Sequence, residues 1–129
     1  MRRDMTLIRE LLLKLEGLPE APGGVHQLVA GENEMVVEGY STAQVDYHLR
    51  LIEEAGFLRT FSSGLDGRIL FDRLTWDGHD FVDSVRSPEV WARTKKGAEA
   101  VGGITLDLLK DLAKGFIRKQ LEELTGIKV

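Results

Sequence analysis

"STAQVDYHLRLIEEAGFLRTFSSGLDGRILFDRL", residues 41–74, reads as one helix followed by two strands. Ser41 is a helix N-cap, because its side-chain oxygen can accept a hydrogen bond from a backbone N–H that the first helical turn leaves unpaired. Val45, His48, Leu49, Ile52 and Ala55 then recur at three- and four-residue spacing and share one face, and Gly56 stops the helix. Ala43, Asp46, Tyr47, Arg50, Glu53 and Glu54 take the opposite face. "FLRTF" and "RILFDRL" are β-prone runs joined by "SSGLDG", whose Asp-Gly pair tolerates the positive φ of a tight hairpin turn.

Upstream, Met5, Ile8, Leu12 and Leu15, widened by Leu7 and Leu11, predict a largely buried helix over residues 4–16, capped by Asp4 and closed by Gly17. Residues 17–39 hold five glycines and two prolines, which excludes a long helix there. "VHQLVA" and "EMVVE" flank the turn "GEN" and predict a loose β-hairpin. Downstream, Thr75 caps "WDGHDFVDSVR", and Ser87-Pro88-Glu89 opens another helix with a cap, a first-turn proline and an acid at the positive dipole end. Gly102-Gly103 separates that helix from a long amphipathic one over 105–125, capped by Thr105. Its apolar stripe comprises Leu106, Leu109, Leu112, Ala113, Phe116, Ile117, Leu121 and Leu124.

At 129 residues, with 43% apolar and 29% charged side chains, the chain is expected to form a single α+β domain spanning residues 1–129. Its leucine-rich start is broken by Arg9, Glu10 and Lys14, too soon for a membrane span or a secretory h-region. It has no cysteine, so disulfides and thiolate chemistry are excluded and a cytoplasmic location is expected. The formal charge is −4, and no segment is basic enough to leave a large electrostatic footprint on nucleic acid.

The order helix, strand, helix, hairpin, helix resembles a winged-helix domain. "YHLRLIEEAGFLR" resembles the recognition helix and first wing strand of bacterial winged-helix regulators, and "LTWDGHDF" their L-T-x-x-G helix start. The blocks "MRRDMTLIRELLLKLE", "GYSTAQVDYHLRLIEEAGFL", "RLTWDGHDFVDSVR", "VWARTK" and "LDLLKDLAKGFIRK" together resemble a bacterial and phage family, domain of unknown function 2513, over nearly the whole chain. That resemblance implies a winged-helix-like fold in phage or prophage settings and no assigned activity. In one respect the chain departs from the winged-helix pattern. Residues 17–40 offer strand-like, glycine-rich material where a second helix normally braces the recognition helix against DNA.

Read through this resemblance, Ser41, Thr42, Tyr47 and Arg50 on the helix and Arg68 beside the turn are the candidate DNA-binding residues, with Arg59 and Arg73 as further phosphate contacts. Asp46, Glu53 and Glu54 share that outward face, so a solvated helix face is the competing reading. His79 and Asp83 have helical spacing, but ligand types recur nowhere else with zinc-like spacing, so neither a metal nor a cofactor is expected. His48 is expected to be a packed, hydrogen-bonded residue. No nucleophile elbow, phosphate loop or dinucleotide fingerprint is present, and adjacent pairs such as Glu53-Glu54 diverge by roughly 100° on a helix, so no enzyme is expected. Gly78 is expected to let its helix approach the hairpin closely, and Trp76 and Trp91 to be core or interface anchors. Leu109, Leu112, Phe116 and Ile117 are candidates for a homodimer interface, with packing against Ile8 and Leu12 of the same chain as the alternative. Two functions follow: a transcription-regulating DNA binder, and a module acting on a host or phage protein without DNA.

Overall fold

The computed structural model describes residues 1–19, 24–32, 35–63, 68–100 and 105–128, side chains at 62, 63, 106 and 110 excepted. It is an α+β protein with five helices and a three-stranded antiparallel sheet among the described residues. The chain divides into two compact units, Met1–Asp80 and Phe81–Val129.

In the first unit, helix α1 (Met5–Glu16) starts where the Asp4 carboxylate accepts the N–H groups of Thr6 and Leu7. Strand β1 (His26–Leu28) follows, then helix α2 (Thr42–Glu54), strand β2 (Leu58–Ser63) and strand β3 (Ile69–Leu74). Ser41 and Gln44 form a reciprocal capping box at the head of α2, each side chain satisfying the other's backbone N–H. Val45, His48, Leu49 and Ile52 are buried as their spacing predicts, while Ala55 is exposed at the C-cap. The core of this unit joins Leu7, Leu11 and Leu12 of α1 to the α2 stripe and to Phe57, Ile69 and Phe71, all buried.

The sheet order is β1-β3-β2, so both outer strands pair with β3. Leu58 faces Leu74 and Arg59 faces Arg73, after which register shifts around Thr60 kink β2. The turn that joins β2 to β3, residues 64–67, lies outside the described residues.

The hairpin expected between "VHQLVA" and "EMVVE" does not form. His26 pairs instead with Phe71 and Leu28 with Ile69, and the His26 ring stacks on Phe71 with centroids 5.2 Å apart. Met35–Val37 is not a strand. Met35 is buried, its carbonyl accepts the Gly31 N–H at 3.0 Å, and its own N–H donates to the Glu32 carbonyl at 3.0 Å. Turn bonds thus hold both backbone groups of Met35, and an edge of β3 takes β1.

Helix α3 (Trp76–Val85) crosses the boundary between the units. Its N-cap is Thr75, whose hydroxyl accepts the Gly78 N–H at 3.1 Å and donates to the Gly56 carbonyl at 2.6 Å. In the second unit, helix α4 (Pro88–Ala100) is capped by Ser87 and buries Val90, Trp91, Thr94 and Ala98. Helix α5 (Leu106–Thr125), capped by Thr105, packs against α4 and ends at Gly126 in the left-handed conformation, φ 71°. Gly97 of α4 lies against Leu112 of α5: a Cβ there would sit 3.5 Å from Leu112 Cδ1.

Candidate functional site

The outward face of α2 and the β2–β3 hairpin are where the candidate side chains lie. Ser41 and Thr42 are exposed, but the Ser41 hydroxyl is engaged in the capping box, and the Thr42 side chain sits 3.1 Å from where a Cβ on Gly31 would be. Tyr47 is 37% exposed, with its ring edge-on to that of His48, 5.5 Å between centroids. Arg50 pairs one turn back with Asp46 at 3.2 Å. Its charge is therefore partly neutralised within its own helix, and Glu53 and Glu54 complete a face with an acidic excess.

On the hairpin, Arg59 pairs with Asp72 at 3.3 Å, and its guanidinium carbon lies 5.5 Å from the centre of the Phe61 ring, within the range of a cation–π contact. Phe61 is 55% exposed. Arg68 and Arg73 are exposed at the two ends of the β3 segment. Trp76, at the first position of α3, is 84% exposed, whereas Trp91 is buried, so the two tryptophans read alike in the sequence serve different environments.

Charge is unevenly divided along the chain. Residues 1–80 carry eight Lys and Arg against fourteen Asp and Glu, a formal charge of −6, and residues 81–129 carry nine against seven, a formal charge of +2.

His48 is buried with both ring nitrogens engaged. Nε2 accepts the Asp4 N–H at 2.8 Å and Nδ1 lies 2.7 Å from the Gln44 carbonyl, which assigns the proton to Nδ1 because Nε2 has only a donor to meet. The Asp4 carboxylate also accepts the Tyr40 hydroxyl at 2.9 Å. Burial, that hydrogen bond, and the negative charges of Asp4 and Glu10 all raise the Tyr40 pKa above its ordinary 10.0. This network ties the start of α1 to the start of α2. Sequence reading placed His48 as hydrogen-bonded but missed Tyr40 altogether, since its partner lies 36 residues away and no local spacing marks the pair.

His79 and Asp83 are both exposed, and Asp83 pairs with Arg86 at 2.7 Å. Among the described residues no three His, Asp or Glu side chains group as metal ligands. Also among the described residues, no helix is long and apolar enough to cross a membrane. Of the four dimer candidates, Leu109 is fully covered within the chain and presents no surface to a second copy, while Leu112, Phe116 and Ile117 are half-buried.

The family model "Hypothetical protein (DUF2513)" matches residues 2–105. The chain belongs to the DUF2513 family. A relative from Haemophilus influenzae, described as an uncharacterized protein, is 34% identical over 124 residues, covering 94% of this chain and 99% of its own. No solved structure matches. The family match takes in all of the first unit but Met1, together with α3 and α4, so the acidic helix face, the hairpin and the Asp4–Tyr40–His48 network all lie within the DUF2513 region.

Proposed function

We propose that the first unit is a winged-helix-like module that binds a basic surface on a host or phage protein, and that the protein acts by binding and not by catalysis. The order α1-β1-α2-β2-β3 and the strand order β1-β3-β2, with α2 entering the hairpin directly, support the winged-helix-like description. The observation that carries the choice of partner is electrostatic. Arg50 and Arg59 are each engaged by a carboxylate, the α2 face is acidic, and the unit holds −6. Duplex DNA presents a dense line of phosphates, and each unneutralised carboxylate set against it lowers affinity. A basic protein surface reverses that sign. Exposed Tyr47, Phe61 and Trp76 supply the aromatic side chains that commonly anchor protein interfaces.

The test places a photo-crosslinking amino acid at position 47 or 61 of the full chain expressed in bacteria, with exposed Glu99 as the control position. Discrete, nuclease-resistant protein adducts are expected at 47 and 61 and none at 99. Nuclease-sensitive adducts, together with saturable duplex binding at low salt that weakens in Arg50→Ala and Arg68→Ala, establish the DNA reading in its place. Absence of adducts at both positions also overturns the proposal.

A further inference from the structure

Each strand of the β2–β3 hairpin carries one residue that the ladder passes over. Cross-strand partners run Leu58 to Leu74, Arg59 to Arg73, Thr60 to Phe71 and Ser62 to Leu70, so Asp72 on β3 and Phe61 on β2 have no partner opposite them. The two shifts cancel, and the register beyond them is the register before them. An extra residue of this kind re-aims the side chains around it and is common beside functional sites. Its effect here shows in Arg59. The guanidinium reaches Asp72 Oδ2 at 3.3 Å and lies 5.5 Å from the centre of the Phe61 ring, so both of its contacts are the passed-over residues.

Directly opposed residues share a face of a sheet, which sets Arg59 and Arg73 side by side. The adjoining pair, Leu58 and Leu74, is buried, so the arginine pair takes the outward face, where both side chains are exposed. Like charges opposite each other destabilise a ladder. One carboxylate serves both guanidinium groups. Asp72 is committed to Arg59 through Oδ2, and its Oδ1 is buried without a hydrogen-bond partner, so Asp72 does not reach Arg73. Among the described residues no carboxylate pairs with Arg73. Arg59, Arg73 and Asp72 together thus carry one net positive charge, next to a ring that is 55% exposed, in a unit whose formal charge is −6.

Guanidinium groups suit an oxyanion, because their N–H fork matches a carboxylate or a phosphate. One net charge matches a monoanion. A phosphodiester backbone brings further charges with the first, and the acidic α2 face opposes them, whereas a lone carboxylate on an otherwise basic protein surface meets no such penalty. We propose that the outward face of the β2–β3 hairpin is a carboxylate-recognition site, in which Arg59 and Arg73 hold one aspartate or glutamate side chain of a protein partner and Phe61 packs on the segment that carries it. Asp72 and the Phe61 ring position Arg59, and Arg73 supplies the uncompensated charge. The source of the carboxylate rests on the protein-binding reading of the first unit; the affinity of the arginine pair for a carboxylate does not.

Two measurements on the full chain test the site and the source separately. In the first, acetate replaces chloride at constant ionic strength while the arginine Nε–H signals are followed by nuclear magnetic resonance. Arg59 and Arg73 should shift together and saturably, and Arg86 and Arg93, each paired with a carboxylate of its own helix, should not. Arg73→Gln, a change at an exposed position, should abolish the Arg59 shift and leave the circular-dichroism spectrum unchanged. No saturable shift, an equal shift at all four arginines, or an Arg59 shift that survives Arg73→Gln overturns the site. Dimethyl phosphate that binds more tightly than acetate overturns the choice of ligand. In the second, the crosslinker stands at position 47 and Arg73 is changed to Glu. Net charge alone predicts more capture of a basic partner by this more acidic variant. A carboxylate seated on Arg73 predicts the opposite, a fall of about tenfold or more, because like charges then meet. Capture that holds or rises overturns the partner as the source. Absence of adducts in the wild type overturns both the partner as the source and the protein-binding reading, while the acetate shifts still decide the site.

Discussion

Gly78→Ala perturbs the close approach between the start of α3 and the junction of α2 with β2. A Cβ at position 78 would overlap the Phe57 carbonyl oxygen and lie 3.2 Å from its carbon and 3.3 Å from its Cα. That peptide is tethered: the Phe57 carbonyl accepts the Thr75 N–H at 2.9 Å, and the Gly56 carbonyl accepts the Thr75 hydroxyl at 2.6 Å. Relief therefore requires the helix start to move off the strand and stretch these bonds. Overpacking of this kind costs about 1–3 kcal/mol, and weakening one hydrogen bond adds about 0.5–1.5 kcal/mol. The higher helix propensity of alanine offsets at most about 1 kcal/mol. The net expectation is a loss of about 1–3 kcal/mol, read from urea unfolding followed by far-ultraviolet circular dichroism. Two other helical glycines serve as controls. A Cβ on Gly115 meets nothing within 4 Å, so Gly115→Ala should be neutral or stabilising by up to about 1 kcal/mol. Gly97→Ala makes only an ordinary contact with Leu112 and should behave in the same way. A Gly78→Ala midpoint equal to or above wild type would refute the reasoning, because it would mean that the Phe57 backbone yields at no cost.

Three further outcomes are expected. Tyr40→Phe leaves one oxygen of the Asp4 carboxylate without its phenol donor and should cost about 1 kcal/mol at neutral pH. Because the Tyr40 pKa is raised on folding, its contribution is complete below 10.0 and is lost as pH rises through the higher folded value. The stability gap between wild type and Tyr40→Phe should therefore narrow in alkali, and a gap that widens there would contradict the assignment. Leu49→Ala and Ile52→Ala remove fully buried side chains and should each cost about 2–5 kcal/mol, while Tyr47→Ala should cost far less; a ranking with Tyr47→Ala first would place the helix in the wrong phase. Ser41→Ala should cost about 1 kcal/mol through the lost capping box, and an unchanged unfolding midpoint would show that water replaces the cap.

The sequence by itself determined the features whose causes lie within about one helical turn. Asp4, Ser41, Thr75, Ser87 and Thr105 were each legible as caps, and each accepts a backbone N–H two or three residues on, a bond the local chain makes without help from elsewhere. The α2 stripe and the extent of α5 were legible for the same reason, since apolar spacing and a terminal glycine act over three or four residues. The acidic neighbours of Arg50 were also visible, though only the fold shows Asp46 actually closing on it. Tertiary structure decided what depends on distant partners. "VHQLVA" and "EMVVE" are equally plausible as mutual partners by composition, yet β1 pairs with β3 more than forty residues away, while Met35 is buried with its backbone N–H and carbonyl both held in turn bonds. The same holds for the Tyr40–Asp4–His48 network, for the overlap that makes Gly78 necessary, and for the contrast between exposed Trp76 and buried Trp91. Residue type and spacing specify which groups need burial or a hydrogen-bond partner, but only the folded chain selects the partner, because that choice minimises unpaired polar groups and exposed apolar surface over the whole unit at once.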